Sequence, residues 1–421
     1  MNRLPSFKTL STMQGSVRLL FIFFYCINCA AAYSQKLVFV IADGIPADVI
    51  ESLETPNLRA IANKGIYMRA YVGGDKGMYN QTPTISAISY NSLLTGTWVN
   101  KHNVWGNDIK EPNYHYKNIF RLFKEQYPQK KIAVYSSWLD NRTKLVGDGL
   151  SEAGNIHVDF HADGYELDKI NFPHDSIGNY MHLIDEKVID KASKGIQNDA
   201  PDLSWVYLEY TDDMGHEHGD SPQFYDAVKM MDAQIGRLWK AIEYRQKEFR
   251  EKWLIIVTTD HGRTEKDGRD HGGQSMRQRT SWIVANTEIN NYAKFNQPAI
   301  VDIMPTIARY LKINLTTETM REIDGIPFTG PVSITAPILN SFQDKLDISW
   351  TSIDTMGTVK IWVTTTNNFK TGGKDDYRLL AELPVKTGHI TIDVSDMKSS
   401  FYKVVLEAKY NTINAWWVKE N

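Results

Sequence analysis

The chain has 421 residues, a formal net charge of −3, 42% hydrophobic residues and two cysteines. That length accommodates one large α/β domain plus a small one. The slightly acidic balance leaves no basic footprint, so no nucleic-acid-binding surface is expected. In chain order, Arg3, Lys8 and Arg18 precede the apolar run LLFIFFYCINCAAA, which closes on Ala30, Ala31 and Ala32. Basic, apolar and small-residue parts in that order predict a secretory signal peptide over residues 1–32. The run is shorter than the roughly 20 apolar residues of a membrane span, so no transmembrane segment is expected after cleavage. The expected location is outside the cytoplasm, periplasmic or secreted. Both cysteines, Cys26 and Cys29, lie in this leader, and the mature chain would have no disulfide. A lipid-anchored form through Cys29 is the alternative, although Asn28 is a poor match to the small residue such sites carry.

From Lys36 to Pro327 the pattern alternates between strand and helix. KLVFVIA is a continuous apolar run ended by the turn signal Asp43-Gly44, as expected of a strand buried on both faces. A helix opens at Thr55 with Pro56 in its first turn. Runs from Lys131 (KIAVYSS), Leu203 (LSWVYLEY) and Lys252 (KWLIIVTT) read as further parallel strands. Ser221 and Pro222 start a long helix whose Phe224, Val228, Met231, Ile235, Leu238 and Ile242 form one apolar stripe. Alternating elements of this kind predict a doubly wound, mostly parallel sheet flanked by helices, with ligands gathered beyond the strand carboxyl ends. After Gly330 the texture changes to short alternating runs with turn signals between them. Residues 331–421 are expected to form a small all-β sandwich, similar in pattern to fibronectin type III modules. Trp350, Trp362, Trp416 and Trp417 are expected to fill its core. The sandwich holds no motif residue and is expected to be dispensable for chemistry.

Chemistry concentrates at the ends of the predicted strands. Asp43 follows the first strand. Asp212 and His216 lie in YTDDMGHEHGD, and Asp260 and His261 follow the strand from Lys252. His271 comes ten residues later. Three carboxylates and three imidazoles make two nearly equal ligand sets, the donor types that suit a pair of Zn²⁺ ions. Ser86, in TPTISAISYNSLLTG, stands at the mouth of a predicted helix as a candidate nucleophile. Taken singly, Asp43 reads as a turn residue and Ser86 as a helix cap; their recurrence at strand ends argues for one shared site. Arg263 suits either a phosphate oxygen or a salt bridge.

The spacing Asp-x-x-Gly-His-x-x-Gly from Asp212 to Gly219, together with Asp260-His261-Gly262 and the later His271-Gly272, resembles the alkaline phosphatase superfamily. The closest resemblance is to its type I phosphodiesterase/nucleotide pyrophosphatase branch, from about Lys36 to Phe328, within a catalytic domain expected over residues 33–330. It implies an alkaline phosphatase-like catalytic domain and a metal-dependent hydrolase of small phosphate esters. One metal would be held by Asp43, Ser86, Asp260 and His261, the other by Asp212, His216 and His271. Asn107, in HNVWGND, would help hold the phosphoryl oxygens. The diesterase branch usually has threonine where this chain has Ser86, and the spacing to Thr95-Gly96 is more like the monoesterases. A phosphomonoesterase is therefore the alternative activity, and a catalytically silent binding protein on this fold is a third reading. Thr82 and Thr84 are the alternative nucleophiles. The sulfatase pattern is not met, because Ile88 and Tyr90 occupy its positions.

Overall fold

The structure is a computed structural model that describes Met1, residues 35–175 and residues 178–419. The leader expected over residues 1–32 lies, apart from Met1, outside the described residues. Seven strands form the central sheet: β1 (Gln35–Ala42), β2 (Ile66–Tyr71), β3 (Ile132–Ser136), β4 (Phe160–Ala162), β5 (Leu203–Leu208), β6 (Lys252–Thr258) and β7 (Thr280–Ala285). Their order is β2-β7-β6-β1-β5-β3-β4. The pairs β6–β1, β1–β5, β5–β3 and β3–β4 are parallel, and β7 runs antiparallel to both β6 and β2.

β1 shows why its sequence is apolar without alternation. Leu37, Phe39 and Ile41 enter one hydrophobic core, and Val38, Val40 and Ala42 enter a second one on the opposite face. Side chains alternate across a strand, and a central parallel strand is covered on both faces. The long helix Pro222–Phe249 starts where expected, with the Ser221 side chain accepting the Phe224 N–H. Its apolar stripe fills the second core.

Beyond Gly330 the chain forms β8 (Ile334–Phe342), β9 (Lys345–Ser352), β10 (Thr358–Thr364), β11 (Arg378–Pro384), β12 (His389–Asp393), β13 (Phe401–Ala408) and β14 (Thr412–Val418). They make an antiparallel four-stranded sheet, β11-β10-β13-β14, and a three-stranded one, β12-β9-β8. Ile334, Leu346, Ile348, Val359, Ile361 and Leu406 of this region belong to the same core as Leu37 and Phe39 of β1. The C-terminal strands therefore share a core with the α/β region. Trp350 is buried among them, but Trp416 stacks on Tyr79 of the α/β region, with ring centroids 5.6 Å apart.

Candidate active site

Three strand ends converge on one point. β1 delivers Asp43 at the turn after Ala42, β6 delivers Asp260 and His261 just past Thr258, and the helix Tyr210–His218, which follows β5, carries Asp212 and His216. The last pair was legible as a motif but not as a helix; four residues apart, the two side chains share a helix face. Gly44 makes the β1 turn possible. Its φ is +65°, and a Cβ there would lie 2.3 Å from Asp212 Oδ1, so no other residue fits.

The structure draws the six acid and imidazole candidates into one cluster, but groups His261, rather than the expected His216, with Asp212 and His271. Two sets of donor atoms lie within 4.8 Å of one another: Asp43 with Asp260 and His261, and Asp212 with His261 and His271. His261 Nε2 is 3.1 Å from Asp260 Oδ2 and 3.5 Å from Asp43 Oδ1. His216 Nε2 is 3.2 Å from Asp212 Oδ2 and 3.1 Å from His271 Nε2. Ser86 Oγ lies 3.4 Å from His261 Nε2, at the start of the helix Ser86–Thr95. Asn107 joins from a loop, its Oδ1 accepting the Ala87 N–H at 3.0 Å.

The electrostatics of this cluster fit bound cations. Asp43 Oδ1 and Asp260 Oδ2 are buried and have no hydrogen-bond partner, and a buried, unpaired carboxylate oxygen is costly. Burial, then the charges of Asp260 and Asp212, push the Asp43 carboxyl well above its usual range. Burial pushes Asp260 up to about 7. Burial also acts upward on Asp212, but the guanidinium of Arg263 and the hydrogen bond with His216 outweigh it and hold this carboxyl low. The imidazoles are set up as neutral ligands. His261 Nδ1 is 3.1 Å from the Gly262 carbonyl, and His271 Nδ1 is 2.9 Å from that of Thr84. A carbonyl only accepts, so each Nδ1 carries the proton and each Nε2 presents a lone pair to the site. Burial depresses both rings further, while the Asp212 hydrogen bond raises His216.

Several supporting residues were not evident in the sequence. The Tyr90 and Tyr207 hydroxyls both donate to Asp43 Oδ2, the latter at 2.7 Å. Thr211 donates to the Asp43 carbonyl at 2.6 Å. Tyr90 had a readable signal, since it lies one helical turn from Ser86 on the same face. Tyr207 had none. Arg263 forms a salt bridge: fully buried, it pairs with Asp212 and donates to the carbonyls of Gly44, Asp212 and Arg269. The alternative nucleophiles are structurally committed. Thr82 Oγ1 donates to Asn80 and accepts from Val99, and Thr84 Oγ1 donates to Gly273 and accepts from Gly272.

A mostly parallel sheet that gathers three aspartates and three histidines near its strand ends defines an α/β protein with one site beyond its strand carboxyl ends. Residues 37–298 match the family model for type I phosphodiesterase/nucleotide pyrophosphatase, and the chain belongs to that family. Among curated relatives, it is 24% identical to ectonucleotide pyrophosphatase/phosphodiesterase family member 7 of Rattus norvegicus, over 55% of this chain and 50% of that protein. It is 21% identical to human family member 5, over 66% of this chain and 53% of that protein. The chain thus spans about half the length of the curated relatives it matches. Among solved structures, murine family member 5 in complex with AMP superposes with a TM-score of 0.48 at 13% identity, over 67% of this chain and 96% of that one.

Proposed function

We propose that this chain is an exported two-metal hydrolase of phosphoric diesters, acting on small molecules through a phosphorylated Ser86. The observation that carries this reading is the position of the Ser86 hydroxyl beside His261 and the unpartnered oxygens of Asp43 and Asp260. In this reading Asp43, Ser86, Asp260 and His261 hold one Zn²⁺, and Asp212, His216 and His271 hold the other. Bound there, the ions would lower the pKa of the serine hydroxyl and neutralise charge on the attacking and leaving oxygens.

The chain's own residues supply the rest. Ser86 Oγ gives up its proton to solvent and attacks phosphorus. An Oγ–P bond forms as the opposite P–O bond breaks, and the leaving alkoxide takes a proton from solvent to depart as the alcohol. Water then cleaves the Oγ–P bond and restores Ser86. With its Oδ1 engaged by Ala87, Asn107 has its amide NH₂ available to a phosphoryl oxygen. The first turn of the helix Ser86–Thr95 adds amide donors and the positive end of its dipole. Tyr90 and Tyr207 fix the orientation of Asp43.

In this reading the leader expected over residues 1–32 directs export, as the names of the ectonucleotide pyrophosphatase/phosphodiesterase relatives suggest for those proteins. Among the described residues no helix is long and apolar enough to cross a membrane. N-terminal sequencing of the mature protein, expected to begin near Tyr33, tests this point. Serine in place of the usual threonine favours the monoesterase as second reading. Turnover of bis-p-nitrophenyl phosphate against p-nitrophenyl phosphate separates the two, and the diester is expected to be the better substrate. Elemental analysis is expected to find about two Zn²⁺ per chain. Absence of metal, with no activity gained on adding Zn²⁺, would sink the proposal.

A further inference from the structure

Asn107 lies on an irregular excursion that leaves the short helix Val99–His102 and returns near Asn113. Both stems of this loop hang on one residue. His102 Nδ1 accepts the Val104 N–H at 3.1 Å, and the His102 carbonyl accepts the Asn113 N–H at 2.9 Å. Because Nδ1 accepts, Nε2 bears the proton, and it lies 3.0 Å from the Ser92 hydroxyl on the helix that starts with Ser86. The ring is fully buried and neutral, its pKa depressed to about 3 by burial. The placement of His102 therefore sets the placement of the loop.

The C-terminal sandwich supplies part of the seat of the residue beside His102. That residue, Lys101, is fully buried. Lys101 Nζ donates to two groups that precede the sandwich, the Glu322 carbonyl at 2.7 Å and Asp324 Oδ1 at 2.5 Å, and to one within it, Asn414 Oδ1 of β14, at 2.9 Å. It also lies 5.0 Å from the ring centroid of Trp416 on the same strand. A second buried ammonium, Lys403 of β13, sits 5.2 Å from the same indole and pairs with Glu322 and Asp375. The far stem has separate support from the turn at residues 368–371. Asn113 Nδ2 donates to the Lys370 carbonyl at 2.9 Å, and Phe369 packs on Tyr116 with centroids 5.1 Å apart. Buried ion pairs add little net stability relative to apolar packing, but they tolerate only one geometry. A seam built this way fixes position.

We propose that the C-terminal sandwich is a frame that holds the Asn107 loop against the start of the Ser86–Thr95 helix, with Lys101 as the positioning residue. Its catalytic consequence rests on the reading of Asn107 as a phosphoryl-binding group; the mechanical claim does not. The test uses the full chain with Lys101→Met, which keeps the side-chain bulk and removes the three donors.

Hydrogen exchange is read by peptide mass spectrometry. Amides of residues 99–113 and of Ala87 are expected to exchange about tenfold faster or more, with β1, β5 and β6 unchanged. Unchanged exchange in the loop, or acceleration spread evenly over the chain, overturns the proposal. Turnover of bis-p-nitrophenyl phosphate is then compared in a cycle with Asn107→Ala. Lys101→Met is expected to lower kcat on the order of 10- to 100-fold, and to cost nothing more once Asn107 is gone. Equal losses in both backgrounds mean a merely structural lysine and overturn the positioning role. If the unsubstituted protein cleaves no phosphate ester, the reading of the site fails while the exchange result still decides the frame. Asn414→Ala, which removes the acceptor that the sandwich itself supplies to this ammonium, is measured and judged identically; loosening in Lys101→Met but not in Asn414→Ala would place the frame at Glu322 and Asp324 and overturn the proposal.

Discussion

Ser86 differs from the hydroxyls around it in what it lacks. Thr82 and Thr84 each spend theirs on backbone groups, while the Ser86 hydroxyl has His261 Nε2 as its neighbour. Ser86→Ala is expected to lower kcat by several orders of magnitude, because the covalent route is lost. Metal content, measured by elemental analysis, should largely survive on the remaining ligands. Ser86→Thr should keep measurable turnover. The intermediate itself can be trapped at low pH, and phosphate found on Thr82 or Thr84 would refute the assignment. Arg263 carries the second prediction at this scale. It is the buried cation that pairs with Asp212. Arg263→Met should destabilise the metal-free protein by about 3–5 kcal/mol in urea unfolding, since it strands a buried carboxylate. A loss below about 1 kcal/mol would mean that water or His216 replaces it.

At the scale of elements, the strands legible in the sequence were those with a single possible environment. In the central sheet, the runs at Lys36, Lys131, Leu203 and Lys252 are mostly apolar without alternation and became β1, β3, β5 and β6. Strands paired at the sheet margins, such as β2 and β4, are less apolar and gave no such signal. The segment after β5 read as a motif without a shape, since Asp, Gly and His are all weak helix formers. It is helical where it packs on the long helix Pro222–Phe249, with Met214 buried, and this places Asp212 and His216 on one face. The turn after β1 is the most exacting local feature. Gly44→Ala should prevent Asp212 from occupying its position, given a positive φ and a Cβ 2.3 Å from that carboxylate. Zn²⁺ stoichiometry and turnover are both expected to fall, while circular dichroism keeps the α/β signature. Unaltered metal content would show that the turn has more room than its geometry implies.

At the scale of the whole molecule, burial of carboxylates away from the site makes stability depend on pH. Asp302 accepts from Ala299, Ile326 and Tyr292, and Asp185 from Ser137, Glu209 and Tyr210; burial raises each to about 7. Their folded values exceed the unfolded one near 3.8. The unfolded state therefore releases its protons first as pH rises, and their contribution to stability, complete below about pH 4, is lost on the way to about pH 7. The limit is about 4 kcal/mol for each group. Unfolding free energies at pH 5 and pH 7.5 should decline more steeply in the unsubstituted protein than in Asp302→Asn. Equal slopes would show that Asp302 is ionised throughout.

The sequence by itself determined the α/β plan, the strand-end position of Asp43 and Asp260, and all six acid and imidazole candidates. Each of those signals is local: an apolar run, a turn residue, or donors at fixed spacing. Tertiary structure decided what no local pattern encodes. Tyr207 faces Asp43 because β5 lies beside β1 in the sheet. Arg263 pairs with Asp212 because Gly44 and Gly215 leave room for its side chain. The sandwich read as a separable module because its own alternation is complete. Nothing local marks Lys101 or Lys403 for burial, since burying an ammonium depends on partners that arrive from more than two hundred residues away in one case and some eighty in the other. Long-range burial of charge depends on the fold, so a window of sequence cannot show it.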